Sequence, residues 1–254
     1  MQQAFDGLRI AVLGATGGIG SALCRRLTAG GARVALGARR QDALGGLASQ
    51  LGEACAHSVS LDATDTSAVE TFAAQAAEAL GGLDGIVNAV GSILIKPAHL
   101  TSDDEFEDVL RRNLWSAFGT VRAAAKTMRR EGGSVVLFST AAARTGLASH
   151  EAIAAAKGGV TGLTLSAAST YATNGIRFNC VAPGLVDTPA SSAVTGNEMA
   201  LKASTAMHAL GRIGDADEVA SLAAWLLSRD ASWVTGQVYG ADGGLATVRT
   251  RVKV

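Results

Sequence analysis

The chain has 254 residues, of which 48% are hydrophobic, 17% charged and 4% aromatic, with 22 basic side chains balanced by 22 acidic ones. This length suits one α/β domain with a substantial core, and the composition excludes a disordered chain and disfavours a surface built to seek nucleic acid. Cys24, Cys55 and Cys180 stand without CxxC spacing, so neither a disulfide framework nor a zinc site is implied, and a reducing cytoplasm is the expected setting.

In chain order, residues 1–7 lack the basic start and apolar stretch of a signal peptide, and apolar runs elsewhere break well before the roughly 18 residues of a membrane span. Short apolar runs suited to buried parallel strands occur at 9–13, 33–36, 57–61, 85–88, 134–139, 177–181 and 237–241. Alanine-rich segments of helical character fill 18–29, 66–79, 103–130, 150–173 and 217–227. Their alternation predicts a single doubly wound α/β domain over residues 1–254, with about seven parallel strands covered by helices on both faces. The least regular stretch, 185–210, follows the carboxyl end of a predicted strand. Open α/β sheets bind ligands at that edge, so this stretch is expected to be a substrate lid.

The first predicted strand runs directly into Gly14-Ala15-Thr16-Gly17-Gly18-Ile19-Gly20 and then a helix, the context of a Rossmann-type dinucleotide site. There Gly14 permits a tight turn, Gly18 lets a pyrophosphate approach the backbone, and Gly20 lets helix and sheet pack closely. The free N–H groups of the helix start attract the phosphates, and Thr16 and Ile19 belong to the same cofactor-facing turn. At the end of the second strand the chain reads Gly37-Ala38-Arg39-Arg40. An NAD site presents a carboxylate to the ribose 2′-hydroxyl there, whereas two guanidiniums suit a 2′-phosphate, so the expected cofactor is NADP(H). Solvated loop arginines are the plainer alternative.

With its glycines at 14, 18 and 20, the chain resembles the short-chain dehydrogenase/reductase family, whose motif is G-x-x-x-G-x-G. Further landmarks recur in order along nearly the whole chain: Asp62, Asn88-Ala89-Val90-Gly91 in place of Asn-Asn-Ala-Gly, Asn113, Lys157, Pro183-Gly184 and Asp242-Gly243-Gly244. The resemblance implies that Asp62 and Ala63 flank the adenine and that Asn88, Ala89 and Gly91 line the middle of the cofactor. It also implies that Pro183 and Gly184 lead to Val186 at the nicotinamide carboxamide and Thr188 near the phosphates. Asp62 equally suits a cap for the helix near Thr66, and 183–188 equally suits a plain turn.

The family's reductases use a tyrosine four residues before the lysine, a serine thirteen residues before that tyrosine, and an asparagine in the preceding helix. Here Lys157 and Asn113 match, while the other two positions hold Ile153 and Thr140, with Ser139 adjacent. Isoleucine cannot transfer a proton. His150, seven residues before Lys157, lies about 20° from it around a helix axis and is the candidate replacement. The family's enoyl-thioester reductases, with a tyrosine at that spacing, resemble this arrangement; a surface histidine at the helix start is the alternative. Glu151 lies about 120° off the stripe. Lys157, set among alanines and glycines, needs a partner such as a ribose diol if buried. Asn113 suits either a proton-relay water or a backbone scaffold. Lys96, His99 and His208 either border a substrate cavity or, as the plainer reading, are surface residues, and the spacing of the four histidines offers no metal site. Leu94, Ile95, Leu147 and Val186 suit an apolar pocket edge for a hydrophobic substrate, with plain core residues as the alternative.

Two functions follow from these residues. The first is an NADP(H)-dependent oxidoreductase acting on a small carbonyl or hydroxyl compound, or on an activated C=C bond, with a proton donor other than tyrosine. The second is a non-catalytic NADP(H)-binding sensor or scaffold. Family resemblance and the Ala-rich long helices imply a homotetramer or homodimer, with no nucleic-acid or membrane partner.

Overall fold

The aliphatic runs lie side by side in the computed structural model, which describes residues 4–249. β1 (Arg9–Leu13), β2 (Arg33–Ala38), β3 (Cys55–Ser60), β4 (Gly85–Asn88), β5 (Gly133–Phe138), β6 (Ile176–Pro183) and β7 (Val238–Ala241) form one seven-stranded sheet in the order β3-β2-β1-β4-β5-β6-β7. All pairings are parallel; Leu13 of β1 lies opposite Gly37 on one side and Asn88 on the other. Parallel strands require crossovers that cover both faces, which is why Ile10, Ala11 and Val12 are fully buried and the strands read as continuous apolar runs.

The helices are α1 (Gly18–Ala29), α2 (Gln41–Leu51), α3 (Thr66–Leu80), α4 (Asp103–Leu110), α5 (Ser116–Thr127), α6 (Glu151–Tyr171), α7 (Ser192–Thr195), α8 (Glu198–Met207) and α9 (Ala216–Leu227). On one face Leu23, Leu27, Ala220 and Leu226 of α1 and α9 pack on Ile10 and Val12. On the other, Phe72, Ala124 and Val160 of α3, α5 and α6 pack on Leu13, Leu137 and Phe178. Local signals fix the helix starts. Asp65 caps α3 by accepting from the N–H groups of Ser67 and Ala68, and Ser102 with Glu105 and Asp215 with Glu218 form capping boxes for α4 and α9.

Several elements differ from the sequence-based expectation. The third strand begins two residues earlier than expected, at Cys55, and ends at Ser60. The helix expected over 103–130 is interrupted by a π turn at Arg111–Trp115 and stops at Thr127. The Asn113 side chain itself donates to the Val109 carbonyl at 2.9 Å, the acceptor an α-helix would assign to the Asn113 backbone N–H, so the ladder slips by one residue. α2 was not expected, and 185–210 is not irregular throughout, because it contains α7 and α8. His150 is the residue before α6 rather than part of it.

The chain order reverses between β1 and β4, which leaves a crevice beyond their carboxyl ends. Backbone packs directly on backbone there. Gly14 has φ 74°, and a Cβ on it would lie 2.7 Å from the Ala89 carbonyl carbon, while a Cβ on Gly20 would collide with the Gly14 carbonyl oxygen. Gly20→Ala is therefore expected to destabilise the protein by about 1–3 kcal/mol in urea denaturation. An unchanged midpoint would mean that α1 has room to move off the turn.

Candidate functional site

Two cavities open at the crevice and share Ala89, Val90 and Gly91, which follow β4. The first, of about 450 Å³, is walled by Gly14 and Thr16 of the glycine turn, Arg39 and Arg40 after β2, and Asp62 and Ala63 after β3. Ser60 donates to the Arg39 carbonyl at 2.9 Å and steadies the start of the arginine loop, whose side chains are exposed. The Asp62 carboxylate accepts the Thr64 N–H at 2.9 Å. That bond, helped by the charges of Arg39 and Arg112 and opposed by partial burial, holds its carboxyl below the usual range. Asp62 thus closes a local turn, and the cap of α3 is Asp65.

Arg112 also lines this cavity. It escaped the sequence reading because only the π turn settles which way residues 111–115 face; its Nε donates to Asp108 at 2.7 Å.

The second cavity, of about 680 Å³, gathers Ile19 of α1, Asn113 of the π turn, Thr140 after β5, and His150, Ile153 and Lys157 at the start of α6. Pro183, Gly184, Val186 and Thr188 complete the wall at the end of β6. Three of the residues expected at the cofactor line neither cavity. Gly20 packs on Gly14, and Gly18 lies beneath Thr188, where a Cβ would come 2.5 Å from the threonine methyl. Asn88 is buried, donating to Ser116 and accepting the Val90 N–H at 2.9 Å, so it shapes the segment that both cavities share.

Asn113 and Lys157 converge beneath Gly91, where an added Cβ would lie 2.9 Å from Asn113 Oδ1 and 3.4 Å from Lys157 Nζ. Both amide protons of Asn113 are engaged, with Ser92 Oγ and the Val109 carbonyl, and its oxygen accepts the Ser92 N–H. Lys157 is 7% exposed, and its ammonium donates to the Phe138 carbonyl at 2.9 Å. Among the described residues no carboxylate pairs with it. Burial penalises the cation and brings its pKa down to about 8.

Ile153 is buried among Val109, Ala152 and Ala156 while also facing the cavity. The two tyrosines of the chain lie elsewhere: Tyr171 packs on Phe178 and Tyr239 on Trp225. The His150 Nδ1 lies 2.7 Å from the Ala148 carbonyl. A carbonyl can only accept, so Nδ1 carries the proton and Nε2 remains for a ligand. Thr140 Oγ1 accepts the Ala142 N–H at 3.3 Å, which leaves its hydroxyl proton free to donate.

Lys96 pairs with Glu105 and His99 is exposed, as expected of surface residues. His208 corrects that expectation. It is 3% exposed, its Nδ1 bonds the Ser204 carbonyl at 2.7 Å and its Nε2 accepts the Leu185 N–H at 3.1 Å, tying α8 to the end of β6. Leu94 packs with Ile153 and Val109 instead of lining the pocket, while Ile95, Leu147 and Val186 do line it.

Residues 14–246 match the family profile described as enoyl-(acyl carrier protein) reductase. The chain is 31% identical to the 3-oxoacyl-(acyl-carrier-protein) reductase FabG of Salmonella typhimurium, over 96% of this chain and 99% of that protein. It is 35% identical to a galactitol 2-dehydrogenase (L-tagatose-forming) of Cereibacter sphaeroides, over 94% and 95% of the two chains. A short-chain type dehydrogenase/reductase from Mycobacterium ulcerans superposes with a TM-score of 0.91 at 29% identity, covering 96% of this chain and 92% of that one.

The buried Lys157 yields a stability test. Its lowered pKa means that the native state binds fewer protons than the unfolded state between about pH 8 and the ordinary lysine value of 10.5, so its burial penalty is greatest below pH 8 and fades as pH rises. Lys157→Met is expected to melt no lower than the parent at pH 7, with any advantage shrinking toward pH 10.5. A variant less stable at pH 7 than at pH 10, relative to the parent, would contradict this.

Proposed function

The chain belongs to the short-chain dehydrogenase/reductase family and is an oxidoreductase of that family; on this basis we propose that it is specific for NADP(H) and transfers its proton through a group other than tyrosine. The observation that carries the proposal is the composition of the second cavity, whose lining brings together Lys157, Asn113, Thr140 and Ile153, the residue four before the lysine, where the resemblance puts a tyrosine. The lining supports a dinucleotide: backbone of Gly14 and Gly17 reaches the first cavity, and Arg39 and Arg40 on the same cavity suit a 2′-phosphate. Asp62 and Ala63 would flank the adenine, Ala89 and Gly91 the middle, and Val186 and Thr188 the nicotinamide end. When bound, NADPH supplies the hydride.

The chain's own residues supply the rest. Lys157 would hold the ribose hydroxyls, which replace the carbonyl as partners for its desolvated ammonium. The Thr140 hydroxyl donates to the substrate oxygen and fixes its position. In its imidazolium form His150, whose Nδ1–H is held by the Ala148 carbonyl, delivers the proton from Nε2 as charge develops on that oxygen and is left neutral. Asn113, with both amide protons engaged, holds Ser92 and the π turn in place beside Lys157. Residues 185–210 would act as a lid, with His208 anchoring α8. The reaction is the interconversion of a small carbonyl and its alcohol, or reduction of an activated C=C bond. Exposed Trp115, Phe118 and Leu165 on the π turn, α5 and α6 support a homotetramer or homodimer. The free cysteines accord with a reducing cytoplasm.

A second reading, a non-catalytic NADP(H)-binding protein, is favoured by the same Ile153. Nicotinamide fluorescence titration tests the shared part: NADPH is expected to bind at micromolar concentration and NADH at least about tenfold more weakly, with Arg39→Asp erasing the difference. Equal binding of both would defeat the arginine argument. His150→Ala is expected to lower kcat by about 10²-fold or more. Undiminished turnover would remove His150 as donor, and no turnover in the parent protein would favour the second reading.

A further inference from the structure

We infer that the substrate is an uncharged carbonyl compound, or its alcohol, with one polar end and an extended apolar remainder, and not a carboxylate, a phosphate ester or a polyol. This deepens the oxidoreductase reading of the second cavity and rests on it. The inference comes from how that cavity's polar atoms are distributed. Its strongest donors, the Lys157 ammonium and the Thr140 hydroxyl, lie with the His150 ring along the segment after β5 and the first turns of α6, while the Ser92 and Ser204 hydroxyls are also on the lining.

The wall from the α7–α8 segment presents Ala190, Ala193, Val194, Ala200, Ala203 and Met207, with Ser204 among them. Of the hydroxyls on the lining, Ser191 donates to the Val186 carbonyl at 2.6 Å and Ser139 to the Lys157 carbonyl at 2.9 Å, which leaves those of Ser92 and Ser204 with a proton to offer. Among the described residues, no arginine and no carboxylate lines the cavity. A charged or polyhydroxylated tail would leave water for walls that offer it few partners away from the reacting end, which is unfavourable.

Three side chains on the lining are apolar yet water-exposed: Ile93 at 48%, Ile95 at 46% and Met207 at 48%. Large apolar side chains gathered at a cavity mouth gain by being covered with an apolar ligand. A cavity of about 680 Å³ has room for such a tail as well as for a nicotinamide ring. Ile153 extends the apolar surface up to the reacting end itself.

Calorimetric titration of the protein with straight-chain 2-alkanones in the presence of NADP+ measures binding without turnover, since no reduced cofactor is present. Each added methylene is expected to tighten binding, by up to about fourfold, the equivalent of about 0.8 kcal/mol, until the cavity is filled. A ketone of equal length ending in a carboxylate, and a ketose, are expected to bind at least about tenfold more weakly than the matched alkanone. Ile95→Asp, at an exposed position outside the cofactor residues, is expected to keep NADP+ affinity while flattening the chain-length dependence. An affinity that does not change with chain length, or carboxylate and ketose ligands that bind as tightly as alkanones, would overturn the inference while leaving NADP+ binding intact. Alkanone binding that grows with chain length in a protein that does not take up NADP+ would sustain the apolar site and sink the cofactor reading instead.

Discussion

Everything at the carboxyl edge of the sheet depends on one close approach of backbone to backbone, where Gly14 lies against Ala89 and Gly20 lies against Gly14. No side chain fits at either position, so β1, α1 and the segment after β4 are locked together. That contact sets the spacing between β1 and β4 where the chain order reverses, and both cavities open from it. The turn also leaves backbone N–H groups at the start of α1 facing the crevice, an arrangement that attracts anions before any charged side chain is considered.

From that edge outward, the two cavities differ in chemistry. The first has guanidiniums and a carboxylate at its rim, in contact with water, and suits the polar half of a dinucleotide. The second is mostly aliphatic and contains a single buried cation, Lys157, without an acidic partner. A desolvated ammonium is tolerated because the Phe138 carbonyl accepts from it, and its lowered pKa shows that this compensation is incomplete. A ligand offering hydroxyl groups to that cation would improve the balance. The burial of Lys157 thus favours a ligand that brings hydroxyl groups to it.

Much of this was legible in the sequence because the decisive signals are local. Parallel strands declare themselves as uninterrupted aliphatic runs, and the glycine spacing after β1 has meaning only between a strand and a helix, both of which were predicted. α2 was missed because Gly45 and Gly46 dilute its helical character. The π turn was missed because it depends on one side-chain hydrogen bond, from Asn113 to Val109, that propensity does not encode, and Arg112 went unnoticed with it. His208 read as a surface residue because nothing near it in sequence indicates that Leu185, twenty-three residues away, supplies its second hydrogen bond. His150 shows the converse: a helical-wheel argument brought it to the cavity although it lies outside the helix, because the residue before α6 still faces the crevice.

The central claim is that hydride chemistry persists with isoleucine in the place of tyrosine. Its most direct test is a single-turnover reaction with NADPH deuterated at the reactive C4 position and an excess of a long-chain 2-alkanone, followed by mass spectrometry of the alcohol. The account predicts one deuterium per bound cofactor in the product, at a rate that falls when His150 is replaced. Cofactor bound at full stoichiometry with no deuterium transferred would contradict it and leave a nucleotide-binding protein without turnover.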